Sequence, residues 1–239
     1  MSDNPETWDK TFTRMWEAKI IPDYLDRVLV YGYSRTGKST LIHKLTGSER
    51  VTAHEQMPLE DLLGGLQLVN GSTQWVDGPA TRALRHGTVL QIDELVDHLG
   101  AMPQECVTTL YALMDKPAAV TLPNGERVTA AKGYAVIATC NPPPNVLPHP
   151  IFDRLDCFLK ADTISEGIKN VLGAALAEKA QNVVSHNQPR LTWERPITVN
   201  SLLAFKQLMN AGVNDERAAH LLGFTGTKLG DFLTVVAGR

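Results

Sequence analysis

The stretch Gly-Tyr-Ser-Arg-Thr-Gly-Lys-Ser-Thr, residues 32–40, decides the fold of this chain. It fits the pattern G-x-x-x-x-G-K-[ST], in which backbone amides surround phosphate groups, a lysine reaches the outer phosphates and a hydroxyl binds Mg²⁺. An apolar run at 27–31 predicts a strand entering the loop, and residues 39–45 predict a helix whose amino end attracts anions. The predicted nucleotide-binding residues are Gly32, Tyr33, Ser34, Arg35, Thr36, Gly37, Lys38, Ser39 and Thr40.

Composition restricts the class of protein. The 239 residues, 43% hydrophobic and 21% charged, are enough for a large α/β domain with a small helical one. A net charge of −3 provides no overall basic field for binding nucleic acid or an anionic membrane. The three cysteines lack a C-x-x-C spacing and the seven histidines form no H-x-x-x-H pair, so neither disulfides nor zinc are indicated. The amino terminus does not resemble a signal peptide, and we expect a cytoplasmic protein.

Short apolar runs alternate with helical patterns through the first two thirds of the chain. Besides the strand at 27–31, strands are predicted at 88–92 and 134–139, with a weaker one at 51–54. This alternation is typical of a mostly parallel sheet covered by helices on both faces, a three-layer α/β core. From about residue 162 only helices are predicted, at 165–180, 199–210, 215–222 and 230–236. We therefore expect a leader at 1–26, an α/β core at 27–161 and a helical domain at 162–239.

The leader has apolar residues at helical spacing. These residues are Trp8, Phe12, Met15, Trp16 and Ile20. They predict one amphipathic helix within residues 7–25 that ends before Pro22, and packing against the core is its expected role.

Two turn signals predict β-hairpins inside the core. The first hairpin surrounds Asn70-Gly71 and interrupts a helix that the glycine pair at 64–65 breaks. The second surrounds Asn124-Gly125 and precedes the strand at 134–139.

Polar residues follow two of the buried strands. Asp93 and Glu94 come directly after the strand at 88–92, where an aspartate can hold Mg²⁺ and a glutamate can polarise the attacking water. On its own, such a pair could equally be a solvated turn, but the phosphate loop upstream favours the catalytic interpretation. Asn141 follows the strand at 134–139, where open parallel sheets place ligand contacts, although an isolated asparagine is more often a turn former.

The phosphate loop, the strand before Asp93-Glu94 and the strand before Asn141, in this order, resemble the motifs of the AAA+ ATPases. The two hairpins are similar to the insertions of the MoxR branch of these proteins, the MoxR/CbbQ-like proteins. The phrases at 61–65, 75–79 and 87–95 are similar to that branch, and Ile-Phe-Asp-Arg-Leu-Asp at 151–156 resembles its arginine-finger segment. The resemblance covers roughly residues 28–212. It implies an AAA+ core followed by a helical lid, with ATP and Mg²⁺ as cofactors.

The resemblance also implies a role for each site residue. Lys38 would bind the β and γ phosphates, Ser39 and Asp93 would hold Mg²⁺, and Glu94 would activate water. Asn141 would sense the γ-phosphate. Arg154 would act on the nucleotide of a neighbouring subunit in a ring, most often a hexamer, although it could instead form an ion pair with Asp153 or Asp156. Asn200 departs from the family, because it lies where a second sensor arginine is usual, and asparagine offers no charged fork.

Three functions are compatible with the sequence. The favoured one is a Mg²⁺-dependent, oligomeric ATPase that remodels a protein partner, and relatives of this kind usually act with an adaptor that has a von Willebrand factor A domain. The second is a nucleic-acid-directed motor, which the nearly neutral hairpin tips at 69–73 and 123–127 disfavour. The third is a small-molecule phosphotransferase, which the adjacent acids and the helical carboxyl-terminal part disfavour.

Overall fold

The computed structural model describes residues 6–185, 197–224 and 226–237, so the first five residues of the leader lie outside it. The chain divides into two compact units. The first unit contains residues 1–32 and 38–161, and the second contains residues 33–37 and 162–239. None of the described helices is long and apolar enough to cross a membrane.

The described residues of the first unit form nine strands. They are β1 Arg27–Gly32, β2 Glu49–Thr52, β3 Gly64–Val69, β4 Ser72–Asp77, β5 Val89–Asp93, β6 Ala119–Thr121, β7 Arg127–Thr129, β8 Ala135–Cys140 and β9 Cys157–Ala161. Five of them form one sheet in the order β2-β5-β8-β1-β9, with every neighbouring pair parallel. All residues of β5 and β8 are buried, as expected for central strands covered on both faces. The predicted parallel sheet is confirmed.

The helices of the first unit cover this sheet. They are α1 Trp8–Glu17, α2 Ile20–Asp23, α3 Lys38–Thr46, α4 Leu59–Leu63, α5 Pro79–His86, α6 Leu95–His98, α7 Gln104–Met114 and α8 His149–Phe152. One buried apolar cluster contains Trp8 and Phe12 of α1 together with Val28 and Val30 of β1 and Ile42 of α3. The leader therefore packs as part of the core unit.

One sequence prediction about this unit is wrong in detail, and one strand was not predicted. The single leader helix is broken between α1 and α2, where Lys19 adopts a left-handed backbone with φ +59°, and in consequence Ile21 is buried while Ile20 is exposed. The edge strand β9 was not predicted, because its residues are mostly half-buried and Lys160 is exposed, so it lacks the apolar run of a central strand.

Both predicted hairpins are confirmed. In the first hairpin, β3 and β4 pair antiparallel around Asn70 and Gly71, whose φ values of +51° and +80° suit the tight turn that joins them. Its outer face exposes Leu66 and Leu68. The second hairpin pairs β6 with β7 in the same antiparallel manner.

Two arginines of α5 connect neighbouring elements of the first unit through hydrogen bonds. Arg82 donates to the Glu49 carboxylate of β2 at 2.8 and 2.9 Å and to the Asp77 carbonyl oxygen at 2.6 Å. Arg85 donates to the Asp77 carboxylate of the first hairpin at 2.8 Å and, with both terminal nitrogens, to Glu126 of the second at 2.6 and 2.7 Å. One arginine thus joins the two hairpins.

The second unit is helical. Its helices are α9 Glu166–Leu172, α10 Ala174–Ser185, α11 Val199–Asn210, α12 Asp215–Leu221 and α13 Gly226–Ala237. The helix predicted at 165–180 is divided at Gly173 into α9 and α10. The buried core includes the stacked rings of Phe224 and Phe232, whose centroids lie 4.0 Å apart, with Phe205 at 5.3 Å edge-on to Phe232.

Gly32 gives a test of how tightly β1 and β9 approach each other. Its φ is +138°, and an added Cβ would lie 2.4 Å from the carbonyl oxygen of Ala161. Because the strands would have to separate around a disfavoured backbone, we expect Gly32→Ala to lower the free energy of unfolding by about 2 kcal/mol or more. Urea denaturation measures this loss. Gly100→Ala is the matched control, since its Cβ would meet no atom within 4 Å. Equal stability of the two variants would contradict the prediction.

Candidate nucleotide site

Lys38 lies at the start of α3, where the phosphate loop ends. Its side chain is buried, and its Nζ donates to the Gly32 carbonyl oxygen at 2.8 Å and to Oδ1 of Asn141 at 3.5 Å. Burial lowers the pKa of Lys38 to about 8, an effect that the nearby Cys140, Asp97 and other acidic groups partly offset. The fold therefore brings the loop lysine to the carboxyl ends of β1 and β8.

Asp93 ends β5 and is buried within a set of hydrogen-bond donors. Its carboxylate accepts from Ser39 Oγ at 2.6 Å, Thr139 Oγ1 at 2.9 Å and Gln91 Nε2 at 3.0 and 3.1 Å, and it forms an ion pair with Arg50. Burial alone would raise the pKa of Asp93, but the hydrogen bonds from these four residues lower it below the usual value. Asp93 is therefore held as a carboxylate beside the Ser39 hydroxyl.

Three of these donors were not predicted from the sequence. Gln91 is a polar residue inside an apolar strand, two residues before Asp93 and so on the same face, which is a signal that could have been used. Arg50 lies opposite Gln91 in the pairing of β2 with β5. Thr139 lies on β8, beside β5 in the sheet. Finding Arg50 and Thr139 requires the strand order, which local patterns do not give.

The donor set fits Mg²⁺ in combination with phosphate. Ser39 and Asp93 offer a hydroxyl and a carboxylate oxygen, the hard ligands that Mg²⁺ prefers. Within the described part of the chain, no group of three or more His, Cys, Asp or Glu residues could hold a metal by itself. Mg²⁺ commonly uses one or two protein oxygens plus substrate phosphates and waters, so two ligands are sufficient.

Glu94 follows Asp93 with an unusual backbone. Its φ of +59° lies in the left-handed region, which costs a non-glycine residue about 1 kcal/mol or more and is found preferentially at functional sites. Its amide donates to Thr139 Oγ1 at 3.4 Å, and Nε2 of His98 lies 3.7 Å from its Oε2. The side chain is exposed at the end of the strand, beside Asp93.

Asn141 follows β8 and faces both Lys38 and α6. Its Oδ1 accepts from Lys38, while its Nδ2 donates to Asp97 Oδ1 and its backbone amide to Asp97 Oδ2, both at 3.3 Å. The structure therefore brings four of the predicted residues, Lys38, Ser39, Asp93 and Asn141, to one edge of the sheet. Asp97 was not predicted.

The middle of the loop belongs to the second unit. Thr36 is buried, its hydroxyl donates to the Tyr33 carbonyl oxygen at 3.1 Å, and its own carbonyl oxygen accepts from the Ser165 amide at 2.9 Å. Ser34 and Arg35 are exposed, as is Thr40 on α3.

Arg154 is bound within its own chain, and its acidic partner is Asp115 rather than the expected Asp153 or Asp156. Its Nε donates to Asp115 Oδ1 at 2.7 Å, its Nη1 to the Pro150 carbonyl oxygen at 2.6 Å, and its guanidinium lies 5.1 Å from the centre of the Tyr111 ring. Asp153 instead pairs with His149. The structure does not join Arg154 to the loop residues of its own chain through any described contact.

These features together define a class of protein. A five-stranded parallel sheet, a phosphate loop after β1, an Asp-Glu pair after β5 and an asparagine after β8 are those of a P-loop ATPase domain of the AAA+ type. More specifically, the chain belongs to the family described as AAA domain (dynein-related subfamily), whose model matches residues 27–155.

Individual relatives agree with this assignment. Protein NorQ of Paracoccus denitrificans is 30% identical over 121 residues, which are 48% of this chain and 43% of that protein. Protein CbbQ of Hydrogenophilus thermoluteolus is 28% identical over 127 residues, 50% of this chain and 46% of its own. The aligned region thus covers about half the length of the curated relatives. These relatives belong to the MoxR branch, and the resemblance to that branch is confirmed.

A solved structure of a RuvB mutant from Thermotoga maritima has the same fold. It superposes with a TM-score of 0.51 at 16% identity, over 92% of this chain and 74% of that one. This similarity concerns the fold, including the helical carboxyl-terminal part.

Proposed function

We propose that this protein hydrolyses ATP with Mg²⁺ and uses the reaction to remodel a protein partner. The observation that supports this most directly is the hydrogen bond of 2.6 Å between Ser39 and Asp93, formed beside Lys38 at the carboxyl edge of the sheet. A cation, a hydroxyl and an ionised carboxylate at one place suit a nucleoside triphosphate with its metal. Membership of the AAA+ class supports the same activity.

The proposed chemistry assigns each residue one task. The loop amides and Lys38 bind the phosphates, and Ser39 and Asp93 hold Mg²⁺, which when bound neutralises charge on the phosphate oxygens. Glu94 accepts a proton from the attacking water, and Asn141 orients that water against the γ-phosphate. Positioning and charge neutralisation account for most of the catalysis of phosphoryl transfer, so small displacements of these groups matter.

The proposed assembly is a homo-oligomeric ring, most simply a hexamer, in which Arg154 serves the neighbouring subunit. In one chain Arg154 pairs with Asp115, whose side chain is 51% exposed. An ion pair with an acid this exposed contributes at most about 1 kcal/mol, so it adds little to the cost of turning Arg154 toward a phosphate across an interface. The hydrogen bond to the Pro150 carbonyl oxygen and the contact with the Tyr111 ring add to that cost. The protein is also proposed to be cytoplasmic and to act with a separate adaptor that has a von Willebrand factor A domain.

One set of rate measurements tests the function against its alternatives. Phosphate release is measured with the protein alone, with single-stranded and duplex DNA, and with small-molecule acceptors. We expect Mg²⁺-dependent release that neither DNA nor acceptors stimulate. Strong stimulation by DNA would favour the nucleic-acid motor, and transfer to an acceptor without phosphate release would favour the phosphotransferase.

Asn200 provides a prediction about the lid. It is the second residue of α11, whose amino end is capped by reciprocal hydrogen bonds between Thr198 and Ser201 that do not involve it. Loss of a charged contact would cost about 1.5 to 3 kcal/mol, but the neutral Asn200 offers no charge to lose. We therefore expect Asn200→Ala to change the ATPase rate less than about twofold. Collapse of the rate would show that this position does contact nucleotide.

A further inference from the structure

Asp97 and Lys38 contact opposite ends of the Asn141 side-chain amide. Lys38 Nζ donates to Oδ1 at 3.5 Å, and Nδ2 donates to Asp97 Oδ1 at 3.3 Å. The second carboxylate oxygen of Asp97 accepts from the Asn141 backbone amide, also at 3.3 Å. The aspartate thus holds the side chain and the main chain of Asn141 together.

This arrangement permits one orientation of the amide. An ammonium group only donates hydrogen bonds and a carboxylate only accepts them. Rotating the amide by half a turn would place its NH₂ against Lys38 and its oxygen against the Asp97 carboxylate, and both contacts would be repulsive. Lys38 and Asp97 therefore select the same orientation from opposite sides.

The selected orientation also directs the second hydrogen on Nδ2. The two hydrogens of a planar amide nitrogen diverge by about 120°, so fixing one of them on Asp97 fixes the direction of the other. Under the proposed function, this second hydrogen is the donor available for water or phosphate. The direction of that donor is what a catalytic asparagine must control.

We propose that Asp97 is a positioning residue that fixes the amide of Asn141 for catalysis by holding its Nδ2 and backbone N–H. The inference rests on the proposed ATPase function and assigns a role to the short helix α6 that follows the acid pair. Asp97 acts through Asn141 and does not itself contact the reacting atoms. It is exposed, so its replacement removes no core packing.

Asp97→Asn is the test variant, because it keeps the size of the side chain but replaces one acceptor oxygen by an NH₂ donor. The Nδ2 and the backbone N–H of Asn141 then share one acceptor oxygen in place of two, and the new NH₂ group faces one of these donors. We expect kcat to fall about tenfold or more, the scale of a lost hydrogen bond to a charged group. ATP affinity should be unchanged or tighter, since a negative charge near Lys38 has been removed. A general loss of structure would instead weaken binding.

Two comparisons make the result specific. Glu105→Gln removes an exposed acid from α7 of the same unit and should leave kcat unchanged. In an Asn141→Ala background, Asp97→Asn should cause no further loss of kcat, because the residue it positions is absent. A normal kcat for Asp97→Asn, or an equal further loss in the Asn141→Ala background, would overturn the proposal.

A spectroscopic readout separates this inference from the proposed function. The side-chain NH₂ signals of Asn141 in a ¹H–¹⁵N spectrum are identified by their loss in Asn141→Ala. We expect them to shift in Asp97→Asn and to stay in place in Glu105→Gln, whether or not ATP is hydrolysed. Unshifted signals in Asp97→Asn would refute the contact. If the signals shift in Asp97→Asn but the wild-type protein hydrolyses no ATP, only the proposed function is refuted.

Discussion

Replacing Glu94 by glutamine is expected to reduce ATP turnover by about 10²-fold or more while leaving ATP binding close to normal. Glutamine has the size of glutamate but cannot accept the proton of the attacking water. The residues proposed to bind the phosphates and Mg²⁺, Lys38, Ser39 and Asp93, are untouched, so the bound complex should still form. Single-turnover phosphate release measures the chemical step, and titration with a fluorescent ATP analogue measures affinity.

Lys38→Ala and Glu105→Gln serve as the two comparisons for this result. Lys38→Ala should weaken ATP binding itself, because it removes the buried cation that is proposed to bind the phosphates. Glu105→Gln makes the same chemical change at an exposed position on α7 and should behave as wild type. Wild-type turnover in Glu94→Gln would show that another group activates the water.

Arg154→Ala is expected to lower the ATPase rate of the assembled protein about 10³-fold, which is the lower end of the effect of an arginine finger. A finger that reaches a neighbour's phosphate contributes nothing to an isolated subunit. The specific activity of the wild-type protein should therefore rise with protein concentration, and that of Arg154→Ala should not. ATP affinity should persist, because the phosphate loop belongs to the subunit's own site. Arg14→Ala, which removes an exposed arginine from α1, is the control.

Mixing two inactive variants tests whether Arg154 acts between subunits. An Arg154→Ala subunit keeps its own acid pair, and a Glu94→Gln subunit keeps its arginine. Mixed rings should regain turnover at interfaces where Arg154 of a Glu94→Gln subunit reaches the nucleotide pocket of an Arg154→Ala subunit. Absence of rescue in rings shown to be mixed, or full activity from a strictly monomeric protein, would leave Arg154 as a surface residue paired with Asp115.

Local sequence patterns predicted those elements whose conformation is determined by residues close together in the chain. The phosphate loop needs its glycines, lysine and hydroxyl in a fixed spacing, and the strands before Asp93 and Asn141 are continuous apolar runs. The tight turn at Asn70-Gly71 is likewise specified by two residues. For these elements, the sequence was sufficient to predict both the structure and the position of the candidate residues.

Most of the residues that were not predicted contact the candidate site from positions distant along the chain. Thr139 reaches Asp93 because β8 lies beside β5 in the sheet, and Arg50 reaches it from β2 on the other side. Asp97 meets Asn141 although 44 positions separate them. Such contacts follow from strand order and register, which are set by packing of the whole unit. The loop motif, the buried strands and the family resemblance therefore indicated the catalytic candidates but not the residues that hold them.

The double attachment of Arg85 has a consequence for engineering this molecule. The two hairpins are separate in sequence, so either could be considered a cassette to be exchanged between relatives. Arg85, however, binds Asp77 in one and Glu126 in the other. A chimaera that imports a foreign hairpin without an acid at the matching position would leave the arginine attached on one side only. The practical unit of transplantation is therefore both hairpins together with α5.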